Sequence, residues 1–219
     1  MPSNLPVCLY IPNILGYTRI GLAFGGLYLS DTRPEKSVIV WILSATLDLF
    51  DGLLARALNQ TSSLGILIDI AADNILRSCC WLAASTASSG QPLIKLVAVA
   101  IISLEWITMF CTQMHAIQSD THWKTERQND PWLVRTVFAN NFRTPIGVWV
   151  IYGLFSSSLF AYGSNHPVLY ENVPMFTVLQ YAAYCGRLIG MSVELWMCKG
   201  YISLVISKSA PSQQASKTK

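Results

Sequence analysis

The sequence predicts an all-α integral membrane protein, a bundle of six transmembrane helices, on three observations. Charge is scarce: only 12% of the 219 residues are Asp, Glu, Lys or Arg and 52% are hydrophobic, with a mean hydropathy of +0.40, whereas a soluble domain carries about 25% charge. The apolar residues gather into six runs, each near the roughly 20 residues a bilayer span needs. The connectors between the runs are mostly short and polar. These features exclude a disordered chain and an ordinary water-soluble enzyme. A net charge of +3 is too mild for a nucleic-acid partner. The six Cys lie scattered in apolar segments without a CxxC pair, and with three His they give no support to a zinc site.

The runs are Leu9–Ser30, Val38–Ala57, Leu64–Ser85, Pro92–Met114, Thr144–Tyr162 and Met175–Ser207. The first follows a start without a basic region or an obvious cleavage site, and reads as a retained span rather than a signal peptide. The last is long enough to tilt or to leave the membrane. Residues 1–207 are expected to form one helical domain, since no long linker interrupts them, and residues 208–219 a disordered cytosolic tail. With the N-terminus in the cytosol, Arg56, Lys124, Arg127, Arg135, Arg143, Lys208, Lys217 and Lys219 fall on the cytosolic side. Arg33, Lys36 and Lys95 face the other way, so the bias follows the positive-inside rule. The glycosylation sequon at Asn59 is then cytosolic and unmodified.

Asp48, Asp51, Asp69 and Asp73 are four of the chain's seven Asp, and they flank the junction of the second and third runs. A carboxylate in a membrane helix costs about 2.5–3.5 kcal/mol on insertion scales. Four together also repel one another, and bound cations are the natural compensation; hard divalent ions favour such all-oxygen ligands. At about 100° per residue, Asp48, Asp51, Gly52 and Ala55 share a face of the second helix, while Asp69 and Asp73 lie one turn apart on the third. Two neighbouring helices can therefore aim four carboxylates at one point. Gly52 and Ala55 leave room there for a flat ligand group or a close helix neighbour. Arg56 supplies a fixed positive charge for an anionic group.

The stretch Asp48-Leu-Phe-Asp51-Gly52-Leu-Leu-Ala55-Arg56, followed after eight residues by Gly65-Ile-Leu-Ile-Asp69-Ile-Ala-Ala-Asp73, resembles the signature of the CDP-alcohol phosphatidyltransferase family at every position. Ile11-Pro12-Asn13-Ile-Leu-Gly16-Tyr17-Thr-Arg19-Ile20 and Ala55-Arg56-Ala57-Leu58-Asn59-Gln60 look like the eukaryotic inositol branch. The resemblance implies a six-helix bundle that transfers the phosphatidyl group of CDP-diacylglycerol to an alcohol and releases CMP at a site open to the cytosol, in the endoplasmic reticulum membrane. It implies two Mg²⁺ or Mn²⁺ ions held by Asp48, Asp51, Asp69 and Asp73, with Asp73 also the catalytic base. Gly52 and Ala55 would floor the cytidine, with Arg56 beside the nucleotide and Asn13 in contact with the donor. A homodimer follows by the same analogy.

On the acceptor side the expected residues are Arg77, Arg135, Arg143 and Lys199. The inositol branch has Arg directly after the last Asp, where this chain has Asn74. In the fourth span it has Asp and then His, where this chain reads Glu105 and Met109. The expected acceptor is myo-inositol, with glycerol phosphate, serine or another polyol as alternatives. A non-catalytic paralogue and a cation transporter are the rival readings. Asn13, Tyr17 and Arg19 on the first span read either as donor or phosphate contacts or as helix-to-helix hydrogen bonds.

Overall fold

The structure, a computed structural model, describes residues 6–89, 91–119, 130–171 and 173–209. Lys124, Arg127, Lys217 and Lys219 of the expected cytosolic face, and the expected tail from residue 210, lie outside the described residues. Among the described residues every regular element is helical. A single turn at Val7–Leu9 precedes α1 (Ile11–Leu29), α2 (Pro34–Ala57), α3 (Ser63–Ala87), α4 (Pro92–Ser119), α5 (Trp132–Phe138), α6 (Pro145–Gly163), α7 (Pro167–Tyr170) and α8 (Phe176–Ser209).

Each of the six apolar runs is a helix, and the boundaries follow from capping chemistry. Pro34 and Pro145 open α2 and α6 in the first turn, where the missing N–H costs nothing. The Ser62 and Thr144 hydroxyls accept the backbone N–H groups of Gly65 and Gly147 at 2.9 and 3.0 Å. Asn59, at φ 52°, adopts the left-handed conformation that Asn tolerates just past a helix end. Its successor Gln60 accepts the Ile11 N–H at 3.0 Å through its side-chain oxygen, which ties the end of α2 to the start of α1.

By length and composition, α2, α4, α6 and α8 can cross a membrane. The remaining two of the six expected spans, α1 and α3, have the length, 19 and 25 residues. Both carry polar groups inside the apolar run, Asn13 and Arg19 on α1 and Asp69, Asp73 and Arg77 on α3. Large apolar side chains face outward on all six, among them Phe24, Ile39, Leu67, Leu96, Val148 and Leu195. Water would penalise that surface and lipid does not. The chain is a multi-pass membrane protein.

The helix α1 packs against both α2 and α3, which touch each other little. In turn α3 packs on α4 and α6, and α8 closes the bundle against α4 and α6. One core joins α1, α2, α3 and α6 through Ala23, Trp41, Leu76, Cys80 and Tyr162, with the Tyr162 hydroxyl donating to the Ser30 carbonyl at 2.6 Å. The α6–α8 crossing is a backbone-to-backbone approach. A Cβ at Gly153 would sit 2.7 Å from the Ala183 carbonyl oxygen and against the amide of Arg187, so only glycine allows it. Gly153→Leu is therefore expected to splay α6 from α8 and cost about 1–3 kcal/mol or more by overpacking. Thermal unfolding in detergent reads this as a lowered Tm, and an unchanged Tm would contradict the tight crossing.

Candidate active site

Ser37, Trp41, Ser44, Asp48 and Asp51 recur on α2 at alternating steps of four and three, and so form one stripe. Its first three members bind the backbone of α1. The Ser37 hydroxyl donates to the Gly26 carbonyl at 2.6 Å, the Trp41 indole N–H to Ala23 at 3.1 Å, and the Ser44 hydroxyl to Arg19 at 3.0 Å. This antiparallel register carries the two Asp to the Arg19 side chain. From the other side α3 supplies Asp69 and Asp73. It approaches α1 closely where Gly16 meets Ile68, a contact that leaves no room for a Cβ at position 16.

The four carboxylates meet at Arg19, whose side chain is 1% exposed. Its Nη1 donates to Asp51 at 2.7 Å and to Asp69 at 2.8 Å, and lies 2.7 Å from Asp48. Its Nη2 donates to Asp73. Oxygens of Asp48, Asp51 and Asp69 all lie within 4.8 Å of one another. A cation thus already stands at the point they share. One guanidinium against four carboxylates leaves three formal negative charges uncompensated, and an all-oxygen donor set of this kind suits hard divalent ions. The residues present fit such a metal.

Two cavities flank this centre. The smaller, about 220 Å³, lies between α1, the end of α2 and the start of α3, and is lined by Asn13, Asp51, Gly52, Ala55, Arg56 and Asp69 among others. Added at Gly52, a Cβ would meet only the Arg56 guanidinium, at 3.7 Å. The glycine therefore leaves space for a ligand rather than for a neighbouring helix. At Gly65, by contrast, a Cβ would lie 2.9 Å from Asn13 Oδ1, a buried acceptor without a hydrogen-bond partner. The larger cavity, about 440 Å³, opens on the other side, and Asp48, Asp69, Asp73, Asn74, Arg77 and Glu105 contribute to its lining. Asp69 lines both.

The expected donor-side residues Asn13, Gly52, Ala55 and Arg56 thus line one cavity, and Arg77 the other. Arg135, Arg143 and Lys199 are exposed and stand apart from both linings; the Lys199 ammonium lies 5.1 Å from the Trp196 ring centroid. Val137, Phe138 and Phe142, on the same segment as Arg135 and Arg143, do line the larger cavity. Phe142 holds φ 65° and follows Asn140 and Asn141 at φ 53° and 56°. A left-handed phenylalanine is strained, and such strain gathers at functional sites.

Three charged residues central to this geometry had no clear role in the sequence. Arg19 stood there as one of several polar groups on α1, whereas it is the hub of the acidic centre. Arg187 and Glu194, seven residues apart on α8, went unremarked. Arg187 is buried, with Nη1 donating to Glu194 at 2.9 Å and Nη2 3.1 Å from Glu105. Glu105 also accepts from Arg77 Nε at 3.1 Å. The usable signal was an ionised side chain inside an apolar run, which marks a site by default.

Residues 9–178 match the CDP-alcohol phosphatidyltransferase family. The chain is 29% identical over 138 residues, 62% of its length, to the CDP-diacylglycerol--inositol 3-phosphatidyltransferase of Schizosaccharomyces pombe, and spans 56% of that relative. It is 24% identical over 95% of its length to the probable CDP-diacylglycerol--inositol 3-phosphatidyltransferase 2 of Arabidopsis thaliana, spanning 91% of it. It is 27% identical over 58% of its length to the CDP-diacylglycerol--inositol 3-phosphatidyltransferase of Homo sapiens, spanning 59% of it. No solved structure matches the chain. With its acidic centre between two cavities and 170 of its residues matched, the chain belongs to the CDP-alcohol phosphatidyltransferase family.

Proposed function

We propose that the chain transfers the phosphatidyl group of CDP-diacylglycerol to myo-inositol and releases CMP. The observation that carries this reading is the four-carboxylate centre set between two cavities with Asp69 on the wall of both. A displacement at phosphorus needs donor and acceptor on opposite sides of one charged centre. The names of the relatives above support the same chemistry.

In this reading the smaller cavity takes the cytidine diphosphate part of the donor. Gly52 and Ala55 leave a low floor for the flat base, Arg56 faces the anionic diphosphate, and Asn13 presents its unpartnered oxygen to a donor group. The diacylglycerol chains pass between helices into lipid. The polyol enters the larger cavity beside Arg77, with Arg135, Arg143 and Lys199 on the approach. Asp73 takes the proton of the attacking hydroxyl. The hydroxyl oxygen bonds to the phosphatidyl phosphorus as the bond from that phosphorus to the bridging oxygen breaks, and CMP departs with the bonding pair. Asp48, Asp51, Asp69 and Asp73 would hold two Mg²⁺ or Mn²⁺ ions. Such ions offset the charge of the diphosphate and of the leaving phosphate. Six spans, the N-terminus and the site on the cytosolic side of the endoplasmic reticulum membrane, and one domain over residues 1–207 complete the reading.

Purified protein in detergent is expected to release CMP from CDP-diacylglycerol only with inositol and a divalent ion, and to stop on chelation. Asp73→Asn is expected to lower turnover at least about 100-fold, the span of a lost general base, while keeping its Tm within a few degrees. Near-normal turnover would remove Asp73 from the role of base.

Arg19→Ala leaves four carboxylates without their internal cation. A drop of about 3–5 kcal/mol is expected for a broken buried pair, read as a lower Tm, with millimolar Mg²⁺ restoring part of it. If Tm stays the same and Mg²⁺ has no larger effect than on wild type, the carboxylates do not need that cation.

Asn59 is expected to stay unglycosylated in cells, and a tag after Lys219 to stain when only the plasma membrane is permeabilised. An endoglycosidase-sensitive band dependent on Asn59 would reverse the orientation.

A further inference from the structure

We infer that Phe142, held with Phe138 at the wall of the larger cavity by a strained turn, shields the reacting phosphorus from water, so that the donor is transferred to an alcohol and not hydrolysed. The inference rests on the transferase reading above and names a residue that decides between two nucleophiles at one site.

The turn that joins α5 to α6 is held in a costly conformation. Asn140, Asn141 and Phe142 have φ of 53°, 56° and 65° in succession. Asparagine tolerates the left-handed region, whereas phenylalanine enters it only with strain. The surrounding contacts fix the turn. The Thr144 hydroxyl donates to the Thr136 carbonyl at 2.7 Å across it. The start of α6 passes so close that a Cβ at Gly147 would lie 2.7 Å from the carbonyl oxygens of both Phe142 and Val137. Strain persists where its surroundings over-determine it, and it gathers at functional sites. Here its result is the placement of one ring. Phe142 lines the larger cavity together with Phe138, and the two rings meet edge to face with centroids 5.0 Å apart. Both pack on the cluster of Val134, Val137, Val150 and Val193, which anchors the pair to α5, α6 and α8. Asn140, Asn141 and Arg143 beside them are exposed, so the turn has solvent on one side and the cavity on the other.

The chemistry gives such a pair of rings a task. An alcohol and water are both neutral nucleophiles that lose a proton on attack, and a carboxylate base serves either. Water in the acceptor's place would bond its oxygen to the phosphatidyl phosphorus and give its proton to Asp73. The bond from that phosphorus to the bridging oxygen would break, and the donor would yield phosphatidate and CMP. The acidic centre does not discriminate against this reaction, because water is smaller than any alcohol and fits wherever one fits. Access does discriminate. A surface without hydrogen-bonding groups gives water no place to settle, and expelling solvent from a site suppresses hydrolysis of what it holds. The lining that Phe138 and Phe142 share with Ile151, Leu154 and Met197 has that character. A bound polyol fills the polar part of the cavity, and the apolar part denies water a position beside it.

The test uses the full chain in detergent with CDP-diacylglycerol and Mg²⁺, and measures CMP and phosphatidate with and without myo-inositol. Wild type is expected to release CMP without inositol at less than about one hundredth of its rate with inositol, two factors of ten in rate. Phe142→Ala is expected to form phosphatidate and CMP in equal amounts without inositol, and to raise the ratio of hydrolysis to transfer about 10-fold or more, the scale on which an apolar pocket discriminates. Phe142→Leu keeps an apolar side chain at the same place, and its ratio is expected to stay within about twofold of wild type. A merely loosened fold lowers both rates together and does not move their ratio. If Phe142→Ala does not fold, Phe138→Ala, which leaves the turn itself unchanged, is read in the same way. A ratio unchanged in the alanine variants overturns the shield and leaves the transferase reading standing. So does a wild type that forms phosphatidate as readily as phosphatidylinositol. Absence of CMP release from wild type with or without inositol overturns the transferase reading, and the shield with it.

Discussion

The Arg19 guanidinium, enclosed by Asp48, Asp51, Asp69 and Asp73, is the contact on which the arrangement of α1, α2 and α3 depends. Each carboxylate alone would cost about 2.5–3.5 kcal/mol in a membrane helix, and four close together would add mutual repulsion. A buried cation at their meeting point turns that repulsion into attraction to a common partner. The position of the cation is itself fixed from the backbone, because Ser44 bonds the Arg19 carbonyl one turn before Asp48. The stripe of α2 that docks on α1 is therefore the stripe that presents the acids. Docking and site construction are one event.

That economy explains why α1 and α3 carry ionised side chains midway along apolar runs. Their polar side chains turn inward to the acidic centre and the two cavities, while Phe24 and Leu67 of the same helices face outward. A helix with an apolar exterior and an ionised interior suits a bilayer when the charges find partners, and Arg19 is the partner that all four carboxylates share. The two cavities then meet at Asp69, which belongs to both linings. Two reactants held on either side of it are separated by the charged centre and by little else. Positioning of this kind accounts for much of what a phosphoryl-transfer site must do.

The helices were legible in the sequence because apolar runs near 20 residues have few other uses. The expected runs and the observed helices differ by no more than about five residues at their ends, and the differences track Pro34, Ser62 and the polar stretch after Met114. The pairing of Asp48 with Asp51 and of Asp69 with Asp73 was legible for the same reason, as a matter of helical period. Arg19 was not, since its partners, from Asp48 to Asp73, lie 29 to 54 residues away and no local spacing links them. The same holds for Arg187 and Glu105, which join α8 to α4. Arg135, Arg143 and Lys199 drew attention because they cluster in and around polar segments. Arg187 is the buried one, and burial is what spacing alone does not reveal.

Arg187 follows Gly186, whose own Cβ would strike the Trp149 backbone oxygen on α6. The charged network is thus anchored where α6 and α8 cross backbone to backbone. A buried ion network adds little to stability against an apolar alternative, so its presence beside a cavity calls for another reason. Here Arg187 keeps Nε and Nη2 without a hydrogen-bond partner, so the network is not closed among its own members. The network spans α3, α4 and α8 through Arg77, Glu105, Arg187 and Glu194, while the four carboxylates lie on α2 and α3, so α3 carries members of both.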